Sequence, residues 1–421
     1  GTLVATNSTI NDIYVQETDG LIIGGAGVQT LLGSGNINVD VVAGALTVNS
    51  VVTADDDGNV TLNADTGAVN LNAATSSASG DIAITGDSIA QNANGNITTG
   101  DVGANIGTVT VTADSGDIVM ADGTTTTAGT GDIAYTATGN VKLSLLTTGG
   151  NVAVTAGSGA STNGAITDNT AAENANIVAN QATLTAETGI GATGAADIDT
   201  TITTLEATNN TSGDIYVQES NGLAIGGTGV RTLAGNGNIN VDVAAGALTV
   251  GSVVTANGSG TVTLNADAGA VTLTALTSST SGNIAITGNS IAQNGGGNIT
   301  TGGAGTVGVT AMAGDITMTD LTTTTGGTGA ITYSATGNVA LSLLTSTSGA
   351  INVTADSDTN GTGAITDNTA LEAANLVTGG SATLSAAEGI GTAAVGGDID
   401  TTIGTLVATN STINDIYVQE T

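Results

Sequence analysis

The segment GNVTLNADTGAVNLNA, residues 58–73, alternates apolar and polar side chains in two bursts. Val60 and Leu62 alternate with Thr61 and Asn63. After the turn Asp65-Thr66-Gly67, Val69 and Leu71 alternate with Asn70 and Asn72. Successive side chains of a strand point to opposite faces, so this pattern predicts short strands with one buried face. Gly followed by Asn or Asp opens many such segments: Gly35-Asn36, Gly58-Asn59, Gly80-Asp81, Gly116-Asp117 and Gly139-Asn140. These pairs tolerate positive φ and are read as markers of tight turns. The openings at positions 35, 58 and 80 are nearly evenly spaced. That spacing predicts rungs of roughly 22 residues.

A longer period encloses the short one. NDIYVQET at 11–18 returns as GDIYVQES at 213–220 and as NDIYVQET at 414–421, so Ile13, Ile215 and Ile416 mark steps of 202 and 201. GNINVDVVAGALTV (35–48) returns as GNINVDVAAGALTV (237–250) with one change. The chain therefore reads as long units 1–202 and 203–403 and the start of a third, 404–421. The second unit is four residues shorter after Thr99-Gly100, in a loop-like stretch. GTLVATNSTINDIYVQET stands at both 1–18 and 404–421. Neither copy reads as a cap, and the expectation is a window on a longer array.

Many short strands fit either a string of antiparallel sandwich domains or a parallel solenoid. Composition separates them. Among 421 residues there are 65 Gly, five Tyr, and no Phe, Trp, Pro, Cys or His. Sandwich cores are normally filled by large side chains from two facing sheets. A solenoid needs only a narrow core, which stacked Val, Ile, Leu and Ala can fill, and it lets equivalent Asn and Thr on adjacent rungs form ladders. The expectation is an all-β protein, a parallel β-helix or β-solenoid without an aromatic core. Residues 1–421 would form one continuous stack of roughly nineteen rungs, on the order of 90 Å long at about 4.8 Å per rung.

Charge narrows the function classes. Two basic residues face 36 acidic ones, for a formal charge of -34. Nucleic acid and anionic membrane surfaces are disfavoured, because phosphate contacts need clustered Lys and Arg. The sequence contains no membrane-spanning apolar run and no visible signal peptide, so any export signal is expected outside this stretch. The absence of Cys excludes disulfides and thiolate metal sites.

At GNVTLNADTGAVNLNA (58–73), GDIAITGDSIAQNANGNITTG (80–100) and GTVTVTADSGDIVMADG (107–123) the chain resembles the filamentous-haemagglutinin-like and autotransporter-type giant surface proteins of bacteria. The resemblance extends over essentially the whole chain. It implies a right-handed parallel β-helix, secretion to the cell surface, and an adhesive or filament-forming role. The amino-terminal secretion domain of such proteins is not in this sequence, and without Pro their Asn-Pro motifs cannot be.

No enzyme is expected. Lys142 aligns with Ala340 and Arg231 with Gln29, so neither base recurs between the units, and His and Cys are absent. Some acids do recur: Asp12, Asp214 and Asp415; Glu17, Glu219 and Glu420; and Asp197-Ile198-Asp199 as Asp398-Ile399-Asp400. In a strand the two Asp of each latter pair share a face roughly 7 Å apart, a spacing that could hold Ca²⁺ with help from turn carbonyls. Asp197, Asp199, Asp398 and Asp400 are therefore the calcium candidates, against the plainer reading of a solvated acidic face. Asp55-Asp56-Asp57 aligns with Asn257-Gly258-Ser259 and is read as a loop. Tyr14, Tyr216 and Tyr417 are expected to point outward, where they could stack on glycans or contact a neighbouring chain. Tyr135 and Tyr333 fall at inward positions. The overall expectation is a structural segment of an extracellular fibre or surface protein that self-associates or meets neighbouring fibre chains. The alternative is an adhesin shaft that binds glycans.

Overall fold

The computed structural model describes residues 1–370 and 372–420. They form an all-β parallel solenoid with about 23 residues to the coil and no helix among the described residues. Two compact units, Gly1–Val217 and Gln218–Thr421, divide the chain.

In the first unit most coils carry three short strands, as in Val60–Ala64, Val69–Leu71 and Thr75–Ser77. Each strand pairs in parallel with its counterpart one coil on: Val60 with Ile82, Val69 with Ile89, Thr75 with Ile97. The long-strand face aligns Ile37, Val60, Ile82, Val109, Ile133, Val152, Ala182 and Leu205 in one column. In the second unit the same column is Ile239, Val262, Ile284, Val307, Ile331, Ile351, Ala382 and Leu406.

The coils are not equal in length. In the first unit the coil from Ile82 to Val109 is longer than the coil before it, from Val60 to Ile82. Its surplus is an antiparallel hairpin that pairs Asp101 with Ile106. The equivalent coil of the second unit, Ile284 to Val307, is shorter. This four-residue local difference between the repeats is thus an excursion at a corner, which leaves the stack in register. The widest coil of the first unit runs from Val152 to Ala182, and it matches a coil one residue wider in the second, from Ile351 to Ala382. Both repeats therefore keep a wide loop at the same place.

Alternation sets the core. Strands such as Ile82–Gly86 and Val262–Ala266 bury every second side chain, and the interior is stacked Val, Ile, Leu and Ala. Tyr135 and Tyr333 are fully buried, as their position in the pattern implies. Their hydroxyls need partners in so apolar a space. Tyr135 donates to Gln91 Oε1 at 3.0 Å and shares a 2.6 Å hydrogen bond with Thr126. The second unit repeats this with Tyr333, Gln293 at 2.8 Å and Thr324 at 2.6 Å.

The Gly-Asn and Gly-Asp pairs do mark coil corners, but not through positive φ. Gly35, Gly58, Gly80, Gly116 and Gly139 are absent from the left-handed region, which other glycines occupy. What excludes a side chain is close approach between coils. A Cβ on Gly58 would lie 2.3 Å from the Gly35 carbonyl oxygen, and one on Gly80 would lie 2.2 Å from that of Gly58. In the second unit Gly260, Gly282, Gly305, Gly329 and Gly349 continue the pattern, each with its predecessor's carbonyl oxygen within 2.4 Å of the site a Cβ would take. A buried hydroxyl caps several of these carbonyls: Ser77 that of Gly58, Thr99 that of Gly80, Ser279 that of Gly260 and Thr301 that of Gly282, at 2.6–2.7 Å. The residue after each glycine builds a second column. Asn36 Oδ1 accepts the Asn59 N–H, Asn59 Oδ1 that of Asp81, and Asp81 Oδ1 that of Thr108, at 2.7–2.9 Å. Asp12 holds the same post beneath Asn36. The backbone N–H of Asn36 keeps its carboxyl below the usual range.

Candidate cation site

The wide coil of each unit positions the acids. In the second unit the strand Ile365–Asp367 ends on Asp367, and a loop runs from there to the strand that begins at Leu376. Asp367 anchors the loop start: its Oδ1 accepts the Thr369 N–H at 2.9 Å. Asn375 anchors the loop end and is wholly buried. Its Nδ2 donates to Asp367 Oδ1 at 2.7 Å and to the Ser342 carbonyl at 3.2 Å, and its Oδ1 accepts the Asp400 N–H at 3.0 Å. Pinned at both ends, the loop projects Glu372. The next coil supplies Asp398 and Asp400, with Ile399 between them facing the core. Carboxylate oxygens of Glu372, Asp398 and Asp400 all lie within 4.8 Å of one another.

The first unit builds the same cluster from Glu173, Asp197 and Asp199, again within 4.8 Å. Buried Asn176 is its anchor. It donates to Asp168 Oδ1 at 2.6 Å and to the Ser144 carbonyl at 3.3 Å, and it accepts the Asp199 N–H at 3.0 Å. The structure thus groups the sequence pairs Asp197/Asp199 and Asp398/Asp400 each with a glutamate. The two glutamates lie outside the sequence candidates. The signal that could have found them is their recurrence inside the one rung that is widened in both repeats.

Electrostatically the acids of each cluster repel one another. Burial and then the charges of Asp197, Glu173 and Asp168 push the Asp199 carboxyl up to about 6. Burial, then Asp398, Glu372 and Asp367, raise Asp400 as well. Asp400 is 1 % exposed, and neither of its carboxylate oxygens has a hydrogen-bond partner. The chain's two bases do not answer this charge. Lys142 is exposed on another strand and is replaced by Ala340 in the second repeat, while Arg231 sits in the strand Leu223–Thr232.

The other candidates fall elsewhere. Tyr14 is exposed, and Tyr216 and Tyr417 are half-buried. Tyr14 donates to Asp12 at 3.2 Å and Tyr417 to Asp415 at 3.0 Å. Tyr417 borders a shallow groove with Thr392, Asp398 and Gln419. Asp55-Asp56-Asp57 forms a turn, with Asp56 at φ 46°. No helix of the described residues is long and apolar enough to cross a membrane. No protein-family model, curated protein or solved structure matches this chain. The class defined by the fold is a parallel β-solenoid built from long sequence repeats.

Proposed function

We propose that this chain is a structural segment of an extracellular bacterial fibre or giant surface protein, a stiff acidic shaft. The observation that carries the reading is the doubled linkage between coils within each unit. Backbone ladders run between equivalent strands, and columns of Asn and Asp side chains repeat the linkage outside them. Such a stack resists local opening, because any coil that leaves must break bonds above and below at once. Its surplus negative charge favours solubility and separation of neighbouring shafts. Electron microscopy of the purified chain, combined with thermolysin digestion of the native protein, tests this. Thin straight particles that survive digestion are expected; globular particles cut rapidly between coils would overturn it. Trypsin is a poor probe, since Lys142 and Arg231 are the only basic residues.

A second reading, an adhesin shaft for glycans, is favoured by the groove beside Tyr417, where an aromatic face meets Asp398 and Gln419. It predicts glycan-array binding that disappears when Tyr14, Tyr216 and Tyr417 are all replaced by Ala. Binding unchanged in that triple variant excludes it.

A further inference from the structure

We infer that each unit holds one calcium ion, bound by Glu372, Asp398 and Asp400 in the second and by Glu173, Asp197 and Asp199 in the first. The inference does not depend on the fibre reading. In the second unit two observations carry it separately: the grouping of three carboxylates from two coils, and the burial of Asp400 with both oxygens unpartnered; the first unit repeats the grouping.

A carboxylate removed from water is normally paired, hydrogen-bonded or bound to a metal. Asp400 has no hydrogen bond to its oxygens, and the charges nearest to it are Asp398, Glu372 and Asp367, all negative. A bound cation would supply that partner without protonating the acid, and the chain has no base to offer in the second unit except Arg231 on another strand. Size then selects among cations. Calcium takes oxygen ligands at about 2.3–2.6 Å, so two of its ligands lie at most about 4.6–5.2 Å apart. Three oxygens within 4.8 Å of one another lie no more than about 2.8 Å from a common centre, so a small inward shift of the exposed Glu lets all three reach one such ion. Magnesium at about 2.0–2.1 Å demands closer, near-octahedral ligands. The donor set is all oxygen, which suits a hard ion and disfavours zinc or copper.

The ion also accounts for the wide loop. Asp367 and Asn375 spend their hydrogen bonds fixing the loop's two ends, which leaves Glu372 to close over Asp398 and Asp400. The two repeats differ beside the glutamate, with Asn174 in one and Ala373 in the other, yet both retain the Glu and both Asp.

Calcium titration of the EDTA-treated full chain, followed by calorimetry and by thermal unfolding, tests the site. Two saturable ions per chain and a rise in unfolding temperature are expected. The competing explanation is diffuse binding to an acidic surface. The Glu173→Gln/Glu372→Gln variant keeps a formal charge of -32 (-34 + 2), so diffuse binding would persist in it. The inference requires that variant to lose both saturable ions, and Glu372→Gln alone to lose one. Because both glutamates are exposed loop residues, these variants should fold. Asp400→Asn gives an independent readout: in EDTA it should unfold at a higher temperature than the parent, and calcium should add less. No saturable binding at millimolar calcium, or binding unchanged in the double variant, overturns the inference.

Discussion

Replacing Gly329 by Ala tests whether the corner glycines are chosen for space. Its added Cβ would lie 2.0 Å from the Gly305 carbonyl oxygen and 2.6 Å from the carbonyl carbon. An ordinary contact needs about 3.4 Å, so one coil must shift by more than about 1 Å in a stack spaced at about 4.8 Å. That strains the ladders on both sides, including the pairing of Ile331 with Ile351. Overpacking of this kind costs about 1–3 kcal/mol, and here the obstruction is backbone, so the upper end applies. Gly308→Ala is the matched control. Gly308 lies on the outer side of the strand Val307–Ala311 with nothing within 4 Å of its Cβ site and no positive φ. Both substitutions restrict the unfolded chain equally, a stabilising effect of about 0.4–1 kcal/mol. The difference between them therefore isolates the contact and should reach about 3 kcal/mol. Urea unfolding followed by circular dichroism measures it, with hydrogen exchange to place the weakened coil. Since long repeat arrays can unfold in parts, the midpoint of the affected region is the quantity to compare. If Gly329→Ala is as stable as Gly308→Ala, close approach is not why glycine stands there.

Three further outcomes are expected. Tyr135→Phe removes two buried hydrogen bonds and should cost about 1–2 kcal/mol, whereas Gln91→Leu leaves the tyrosine hydroxyl with Thr126 alone and also removes the bond to the Thr125 carbonyl, and should cost about 2–3 kcal/mol in the same urea assay. A Tyr135→Phe protein as stable as its parent would contradict the network. Burial raises the Tyr135 and Tyr333 pKa values well above that of a free phenol. The folded state thus holds protons that the unfolded chain releases above about pH 10, so stability is intact below that pH and falls as pH rises past it. Ultraviolet absorbance of the phenolate should show these two side chains ionising only as the far-ultraviolet dichroism is lost; their ionisation in the intact fold would refute their burial. Finally, Asn59→Ala exposes one N–H, that of Asp81, to water and should cost under about 1 kcal/mol, while Asn176→Ala empties a buried anchor and should cost about 3 kcal/mol. Equal losses in thermal or urea unfolding would show that the two asparagines do not differ as described.

The strands and their inward faces were legible because alternation is a local property: Val60, Leu62, Val69 and Leu71 face the core as their spacing implies. The parallel stack was legible from near-equal rungs and small side chains. The reason for the corner glycines was not, because the obstacle to a Cβ belongs to a residue one coil away. Gln91 and Gln293 illustrate another blind spot. Alternation from Ile89 and Ile291 places them inward, but their polarity argues for an outward position until the tyrosine hydroxyl is seen. For the cluster, Asp197/Asp199 and Asp398/Asp400 were visible as pairs in sequence. Glu173 and Glu372 come from the preceding coil, and only the register of stacked coils brings them near.

The glycine column also bears on how such a chain can change length. A residue inserted between a glycine and the strand that follows would turn apolar side chains outward and set the next glycine against the wrong carbonyl. Residues added at an outward corner, as in the hairpin 101–106, disturb neither. Point insertions are therefore confined to excursions, while copying a whole block restores every partner at both joints. The two similar blocks, 1–202 and 203–403, fit growth by duplication. In such a lineage the corners would drift apart, and the corner glycines with their flanking hydroxyls would change last.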